Sequence, residues 1–504
     1  MSTLLAILLA FPSIDSAHSL VVNTTSVLHA PITSALSTAT NLTTATITKS
    51  CDDIHTCRTL YSIVQTCVAT IFACVWVAVH RNIPAPKPVL DPKLRLGPFK
   101  KALRWLWSKI RDLRQPVIVF SVTLLAPEWV LAWAVRQRLR AHKLAEELET
   151  ESEKARKIWQ ENHPEDANDR STGVLVLGSS MSPVEGGSSA ASVCTGCGPF
   201  PYQCAWSNAK SVGKFSQVWT PAHGFFIIMG GYQASDEKGP ICPLHPDEVV
   251  ALVRDGRLVP PTGDELSNQS KGDFLSKGVA VLQTIWFVVQ CIARLTVRLP
   301  LTNLEVMTLA YTVMTVAMYA AWWDKPLNVS CAIRVPGLVE GRLGLWHPSD
   351  GMWTTILFYI IGGQDEIVNL RPLQRVPTFW AGEADSNDFI KADFIALLVA
   401  MAFGAVHCIA WSYTFASHAE LLMWRSSAVA VIAIPAGFLI GLALFRGVPD
   451  PPVGIYITLV FSIIGAPAYI CARAILLVLS FTTLKALSYQ VYQTVQWTDF
   501  IPHI

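Results

Sequence analysis

The sequence is poor in charge. Asp, Glu, Lys and Arg make up 15% of its 504 residues, whereas a soluble domain carries about 25%, and its mean hydropathy is +0.38. The formal net charge of +2 excludes a basic surface spread over the whole molecule, so we predict no nucleic-acid partner. Such a composition is typical of a chain solvated largely by lipid, and membrane lipids are its first expected partners.

Signatures of nucleotide, metal and hydrolase sites are also missing. The chain has no G-x-x-x-x-G-K-[ST], no G-x-G-x-x-G after a strand, no H-E-x-x-H and no G-x-S-x-G, which disfavours ATP-driven transport by this chain alone. Its one CxxC pair, Cys194 and Cys197, lacks a second pair at zinc-site spacing. These thiols, with Cys204 and Cys242, are therefore interpreted as free or disulfide-bonded, and we predict no metal and no cofactor.

Long apolar stretches are what the sequence does have. Seven of them approach the roughly 20 residues that a helix needs to cross a bilayer, and a long alternating strand pattern is absent. The predicted fold is all-α: a polytopic transmembrane helical bundle of about six or seven spans, with a large loop between the second and third segments. The stretches are residues 60–79, 116–135, 277–297, 303–323, 393–411, 426–444 and 453–473.

The N-terminus has the features of a secretory leader. Residues 1–17 contain a short apolar core followed by small residues and are predicted as a signal peptide. Residues 18–57 are Ser/Thr-rich and carry glycosylation sequons at Asn23 and Asn41, which have meaning only in the lumen. This predicts an integral membrane protein of the secretory pathway, in the endoplasmic reticulum or the plasma membrane, with a lumenal N-terminus. The alternative is a chance Ser/Thr-rich leader.

The first two membrane segments, within residues 58–135, enclose a basic helix. Residues 81–114 carry ten Lys and Arg against two acids, which predicts a cytosolic connection. Residues 97–114 have the pattern of an amphipathic helix suited to an anionic headgroup layer, with a calmodulin-type target helix as the alternative. Glu128 lies in the middle of the second segment, which is either a true span or a re-entrant hairpin. Only a true span would place the sequon at Asn268 in the lumen.

Two polar loops interrupt the spans. The first, residues 136–276, is predicted to hold a charged, solvated helix, a flexible Gly/Ser insert over residues 178–197, and a short apolar element at His223-Gly-Phe-Phe that is interfacial, re-entrant or a core helix. The third and fourth spans fill residues 277–323. The second loop, residues 324–392, holds a short interfacial helix at 351–363, and residues 393–504 contain the C-terminal spans.

Polar residues inside apolar spans are the candidate functional residues, because burying them in hydrocarbon without partners is costly. On the third span Gln283, Gln290 and Arg294 recur along one helix face, with Asp273 near the same line if the helix starts early. Glu305 opens the fourth span and is predicted to pair with Arg294. The alternative is that both side chains reach water.

Two histidines mark the end of the fifth span. His407, Trp411 and His418 recur at intervals of four and seven, and would share a face if the helix continued. Glu420 and Arg425 lie close to His418, so that an acid and a base could titrate near neutral pH in this connection. The simpler interpretation is structural, with each imidazole satisfied by a carbonyl or by water.

Six motifs are spread over residues 57–504: IFACVW from Ile71, LAPE from Leu125, HGFF with MGG from His223, QCIAR from Gln290, WWDKP from Trp322 and HCIAW from His407. Together they resemble an uncharacterised family of multi-pass integral membrane proteins of filamentous fungi. The resemblance implies a fungal origin but no activity. The positions it marks are Glu128, His223, Gln283, Gln290, Arg294, His407, Trp411 and His418.

Three functions are compatible with these features. The first is binding or transport of a small lipophilic or weakly ionic molecule in a polar intramembrane cavity. The second is an intramembrane enzyme that acts on a lipid or isoprenoid-like metabolite by acid/base chemistry. The third is a receptor or scaffold that binds a protein partner, itself unknown, through the large loop. We favour the first because polar residues cluster in the spans, although no internal repeat marks a transporter.

Overall fold

The computed structural model describes residues 57–86, 98–162, 206, 209–210, 213–236, 239–270, 273–336, 363, 365, 368–445 and 451–497. Within these ranges the chain is mostly helical. In chain order the elements are α1 (Leu60–Phe72), α2 (Pro98–Leu125), α3 (Pro127–Asn162), α4 (Pro221–Ile228), β1 (Tyr232–Asp236), β2 (Gly239–Pro243), α5 (Pro246–Arg254), α6 (Gly263–Gln269), α7 (Asp273–Thr296), α8 (Asn303–Ala321), β3 (Ile333–Pro336), α9 (Ser386–His407), α10 (His418–Phe445), α11 (Pro451–Thr482) and α12 (Tyr489–Tyr492). One π-helical turn, Ala73–Val77, prolongs α1.

Local sequence signals fix where several helices begin. Capping boxes start α4 at Thr220, α5 at His245, α6 at Thr262 and α8 at Thr302. In α4 and α5 a proline follows the cap directly, where its missing N–H has no helical partner to lose. In α8 the box brings the Glu305 carboxylate back onto the Thr302 backbone N–H, at 2.8 Å. These caps satisfy backbone donors that each helix start would otherwise leave unpaired.

Six helices are long and apolar enough to cross a bilayer, and they correspond to six of the seven predicted stretches. Their apolar lengths are Leu60–Val77, Lys277–Thr296, Asn303–Ala321, Ser386–Ala410, His418–Ala443 and Ile463–Lys485. The remaining predicted stretch, residues 116–135, is not a straight helix. It contains the break between α2 and α3, where the helix direction bends by 109°.

The contacts of α2 and α3 show that the two helices form a hairpin with its tip inside the bundle. At the tip, the Leu124 carbonyl accepts a hydrogen bond from Tyr311, which lies halfway along α8. Further back, Gln115 of α2 donates to Thr378, and Gln137 of α3 donates to the Trp380 carbonyl at 2.9 Å. Each arm between tip and anchor has about nine residues, or roughly 14 Å of helix, which is half the thickness of a bilayer core.

Consecutive spans run in opposite directions, so the bundle has two ends. At the first, which we call the clamp end, Arg58 before α1 donates to the Val491 carbonyl beyond α11, at 2.8 Å. Arg294 in the last turn of α7 donates to the same carbonyl at 3.1 Å and to the Pro300 carbonyl at 2.9 Å. The starts of α1 and α8 and the ends of α7 and α11 therefore meet at the clamp end.

The opposite end of the bundle, the domain end, carries the rest of the described chain. Lys325 after α8 donates to the His80 carbonyl after α1. Lys143 of α3 lies 2.6 Å from the Asp388 carboxylate in the first turn of α9. The described parts of the two long connections, α1 to α7 and α8 to α9, thus lie at the domain end, and they include α4, α5, α6 and the sheet.

The second half of α3, with α4, α5, α6 and the sheet, forms a unit that we call the domain. Helix α3 lies at its centre, which corrects the prediction of a solvated charged helix. Its second half is charged at the surface but packs against α4, α5 and α9. The packed face is a stripe of small and apolar side chains at helical spacing: Ala141, Leu144, Ala145, Leu148, Ser152, Ala155 and Trp159. His223-Gly-Phe-Phe forms half of α4, which is a buried core helix. Because α3 also begins at the hairpin tip, it connects the domain to that tip.

A small sheet is the one departure from the all-α prediction within the described ranges. Its order is β2-β1-β3, with β1 antiparallel to β2 and parallel to β3. The strands have only four or five residues, and β2 and β3 contain Pro, so their sequences give almost no alternating pattern. The sheet joins a segment before α7 to one after α8.

Several predicted features lie outside the described residues. They are the signal peptide at 1–17, the sequons at Asn23 and Asn41, the Gly/Ser insert, Cys194, Cys197 and Cys204, and the interfacial helix at 351–363 apart from Gly363. Cys57 is disulfide-bonded. The other seven described cysteines are free, so the partner of Cys57 also lies outside the described part of the chain.

Candidate functional site

The tip of the hairpin places a carboxylate in the middle of the bundle. Glu128 lies in the first turn of α3, and one of its oxygens is 3.7 Å from the guanidinium of Arg473 on α11. Arg473 is 2% exposed and also donates to the Leu124 carbonyl at 3.3 Å. The carboxylate stands at a helix N-terminus, where the helix dipole favours negative charge. We call this group, with Tyr311 and Tyr469, the Glu128–Arg473 centre.

Aromatic rings enclose the cation of this centre. The Arg473 guanidinium lies 3.8 Å from the ring centroid of Phe403 on α9, and 5.6 Å from that of Tyr311. Arg473 also donates to the Tyr469 hydroxyl at 3.4 Å. The Oε2 atom of Glu128 is buried and has no hydrogen-bond partner among the described residues. The centre thus combines a cation, two phenols, apolar walls and a carboxylate oxygen, Glu128 Oε2, that faces Arg473 at 3.7 Å without a hydrogen bond.

His407 lies next to the centre, but both of its ring nitrogens contact other groups of the protein. Its Nδ1 lies 2.9 Å from the Phe403 carbonyl, and because a carbonyl only accepts, Nδ1 carries the proton. Its Nε2 faces the Met307 sulfur at 3.5 Å, and its ring contacts Phe403 and Trp424. This environment supports the structural interpretation of His407 over an acid/base role.

The predicted face shared by His407, Trp411 and His418 does not exist. α9 ends at His407, a 3-10 turn follows, and α10 begins at His418. Trp411 is exposed at the clamp end, where its carbonyl accepts from Arg425 at 2.8 Å. His418 is exposed as well. Glu420 forms no ion pair with His418 among the described residues. Its Oε2 atom is buried and has no hydrogen-bond partner there.

The predicted pair of Arg294 and Glu305 is also wrong. Glu305 pairs with Arg58 through both carboxylate oxygens, and Arg58 lies just before the first predicted span. Arg294 instead donates to backbone carbonyls, including that of Gln493 at 2.6 Å. Both groups fasten the chain ends at the clamp end, which explains their burial without a ligand.

The remaining polar candidates on α7 are spread out. Gln283 donates to Thr70 of α1 at 3.2 Å, while Gln290 is half-buried on the same helix. Asp273 is the first residue of α7, and its side chain lies outside the described residues. Among the described side chains, Gln283 and Gln290 form no common site with Arg294.

His223 is a helix cap in the domain. Its Nδ1 accepts from the Thr220 backbone N–H at 3.0 Å, so the proton is on Nε2, which donates to the Pro261 carbonyl at 3.0 Å. Burial lowers the pKa of His223, and the bond to Pro261 opposes this shift. The neutral imidazole that results fits a cap and gives no sign of catalysis.

A buried lysine, Lys325, hydrogen-bonds the α3 arm of the hairpin. It is not among the predicted site residues. The Lys325 ammonium donates to the His80 carbonyl, to Gln137 Oε1 at 2.8 Å and to Asn82 Oδ1 at 3.4 Å. It lies 4.8 and 4.9 Å from the ring centroids of Trp133 and Trp322. We call this group the Lys325 node.

No carboxylate among the described residues pairs with the Lys325 node. Burial lowers the pKa of Lys325 well below its usual value, whereas three acceptor oxygens and two indole faces favour the charged form. Three acceptors match the three N–H groups of an ammonium and would repel the lone pair of a neutral amine. The node therefore joins α3 to the segments after α1 and α8 as a satisfied internal cation.

The clamp end, the Glu128–Arg473 centre and the Lys325 node contain five residues that were not predicted as site residues: Arg58, Tyr311, Lys325, Tyr469 and Arg473. Arg473 alone had a signal, as a charge inside an apolar stretch. The tyrosines are ordinary in apolar helices, and Lys325 follows its span by only a few residues. Among the described residues no three His, Cys, Asp or Glu side chains are grouped so as to hold a metal ion.

Residues 206–393 match the model of a family of unknown function, DUF8562. The matched part contains α4, α5, α6, the sheet, α7, α8 and Lys325 itself, whereas His80, Asn82 and Gln137 of the Lys325 node lie outside it. Glu128, His407 and Arg473 lie outside it. No curated protein and no solved structure matches the chain.

Proposed function

We propose that the six apolar helices cross a membrane with the domain end in the cytosol. The clamp-end connections 297–302 and 411–417 contain one basic residue, Arg298. Residues 81–86 and 98–114, at the domain end, contain seven Lys and Arg. Cytosolic connections carry the excess of positive charge, which supports this orientation.

This orientation agrees with two other features of the chain. Cys57 and its disulfide fall on the lumenal side, where disulfides persist. Asn268 is exposed on α6 at the domain end, so its sequon stays in the cytosol unmodified. The N-terminal sequons, in contrast, precede α1 and face the lumen.

Within this bundle we propose that the Glu128–Arg473 centre binds a small lipophilic or weakly ionic molecule and takes part in its transport. The observation that carries the proposal is the broken hairpin, which brings a helix N-terminus and a carboxylate beside a buried arginine at mid-depth. Broken helices of this kind build the substrate sites of many transporters. An ionisable pair in the membrane interior is by default a functional-site hypothesis.

The composition of the centre indicates the chemical class of the ligand. Arg473 suits a carboxylate or phenolate oxygen, and the Glu128 carboxylate, which accepts hydrogen bonds, suits a hydroxyl or N–H group. Phe403 and the tyrosine rings suit an apolar body. We therefore expect a lipophilic acid or phenol that carries at least one hydrogen-bond donor.

A profile of lipophilic metabolites in cells and medium tests this function. We compare a strain that lacks the protein with strains that express wild type, Glu128→Gln or Glu146→Gln. Wild type is expected to change the cell-to-medium ratio of at least one acid or phenol. Glu128→Gln, which removes the charge but not the shape, is expected to reduce that change about tenfold or more.

Glu146→Gln is the matched control, because it makes the same change on an exposed part of α3. It is expected to behave as wild type, and both variants must reach equal membrane abundance. A compound formed rather than redistributed would favour the enzyme. If wild type leaves every compound unchanged, the receptor or scaffold becomes the better proposal.

A further inference from the structure

The first half of α2 is exposed although it is partly apolar. Phe99 is 79% exposed, Trp105 63% and Trp107 62%. An apolar stripe at spacings of three and four runs along this half, and its members are all exposed: Phe99, Leu103, Leu106, Ile110 and Leu113. A stripe of this kind needs a partner, because the helix alone gains little from staying folded in water.

The charges beside the stripe indicate the chemistry of that partner. Lys100, Arg104 and Arg111 recur at intervals of four and seven, so they share one flank of the helix. Asp112 is the one acid of residues 98–114 and lies on the side away from the stripe. An apolar face edged by cations fits an anionic surface with an apolar layer beneath it.

More basic residues lie where α2 enters the bundle. Arg375 bonds the Gln115 side chain, an amide rather than a carboxylate, and Gln115 also bonds Thr378. Arg81 is half-buried and has no hydrogen bond or ion pair with another described residue. Asn82, next to it, donates to the Pro377 carbonyl at 3.0 Å, so the segments that carry Arg81 and Arg375 meet at this level.

We propose that residues 98–114 of α2, with Arg81 and Arg375, form a binding surface for the headgroups of anionic phospholipids in the domain-end leaflet. The proposal rests on the membrane placement given above, but not on transport at the Glu128–Arg473 centre. The stripe enters the acyl boundary, and the arginines and lysines bind phosphate and carboxylate oxygens. The hairpin that carries Glu128 is thereby attached to the membrane surface by its outer arm.

Hydrogen exchange of the full chain in nanodiscs tests this surface. One set of discs contains phosphatidylcholine alone, and the other also contains phosphatidylserine. We expect exchange of the backbone amides of residues 98–114 to slow about tenfold or more with phosphatidylserine, and high salt to reverse most of this protection. Amides of α3 beyond Ala141 serve as the internal reference.

Two variants separate charge recognition from loss of folding. The triple change Lys100→Gln, Arg104→Gln, Arg111→Gln is expected to abolish the phosphatidylserine effect. The matched triple change Lys154→Gln, Arg156→Gln, Lys157→Gln, on the far end of α3, is expected to preserve it.

Three results would overturn the proposal. Equal exchange of residues 98–114 in both discs, with the spans protected, would mean that α2 does not recognise anionic lipid. Equal protection in detergent without phospholipid would mean that another part of the chain covers the stripe. Unprotected amides in α7 and α9 would reject the membrane placement itself.

Discussion

Arg473→Met is expected to lower the free energy of unfolding by about 3–5 kcal/mol, measured by denaturant titration in mixed micelles. The substitution leaves the Glu128 carboxylate buried without its cation, and breaking one partner of a buried pair has a penalty of this size. It also removes a donor to the Leu124 carbonyl at the hairpin tip.

A double-mutant cycle with Glu128 distinguishes the loss of an ion pair from a packing defect. Adding Glu128→Gln to Arg473→Met removes the unpaired charge, so the double variant is expected to recover at least half of the lost stability. Arg425→Met is the control, because Arg425 bonds a carbonyl at the clamp end and its loss is expected to have an effect below about 1 kcal/mol. Losses that simply add in the double variant would show that Glu128 and Arg473 do not interact.

Gly224→Ala is expected to destabilise the domain by about 3 kcal/mol or more. A Cβ atom on Gly224 would lie 2.2 Å from the Ala141 carbonyl oxygen. Both are backbone positions, one in α4 and one in α3, so no side chain can move aside. The two helices would have to separate, and the Phe225 and Phe226 side chains on α4, both fully buried, would lose their packing.

Gly278→Ala is the matched control for this prediction. Gly278 lies inside α7, and nothing lies within 4 Å of the position its Cβ would take. The same substitution is expected to raise stability there, by up to about 1 kcal/mol, because alanine favours the helix. Thermal unfolding followed by tryptophan fluorescence compares the two, and an equal response of both variants would contradict the close α3–α4 contact.

The sequence predicts the long apolar helices well because length and hydropathy are local properties. α1, α7, α8, α9, α10 and α11 each contain enough apolar residues to be recognised without their neighbours. The stretch at residues 116–135 has a similar composition, yet the break at Ala126 folds it into a hairpin. Its outcome depends on contacts with Tyr311 and Arg473, far away in the sequence.

Partners of polar side chains were predicted less well for the same reason. Periodicity tells which residues share a face but not what that face meets. Arg294 and Glu305 are close in sequence, yet each has a better partner at the chain ends, in the 490–493 carbonyls and in Arg58. The Lys325 node joins three separate segments, and no local pattern marks such a meeting point.

A cryo-electron microscopy map of the protein in a nanodisc tests the central claim most directly. We expect six helices across the disc, with the break between α2 and α3 level with its middle and the Glu128 and Arg473 side chains in contact there. One straight helix through residues 116–135, or a break that lies outside the disc, would contradict it.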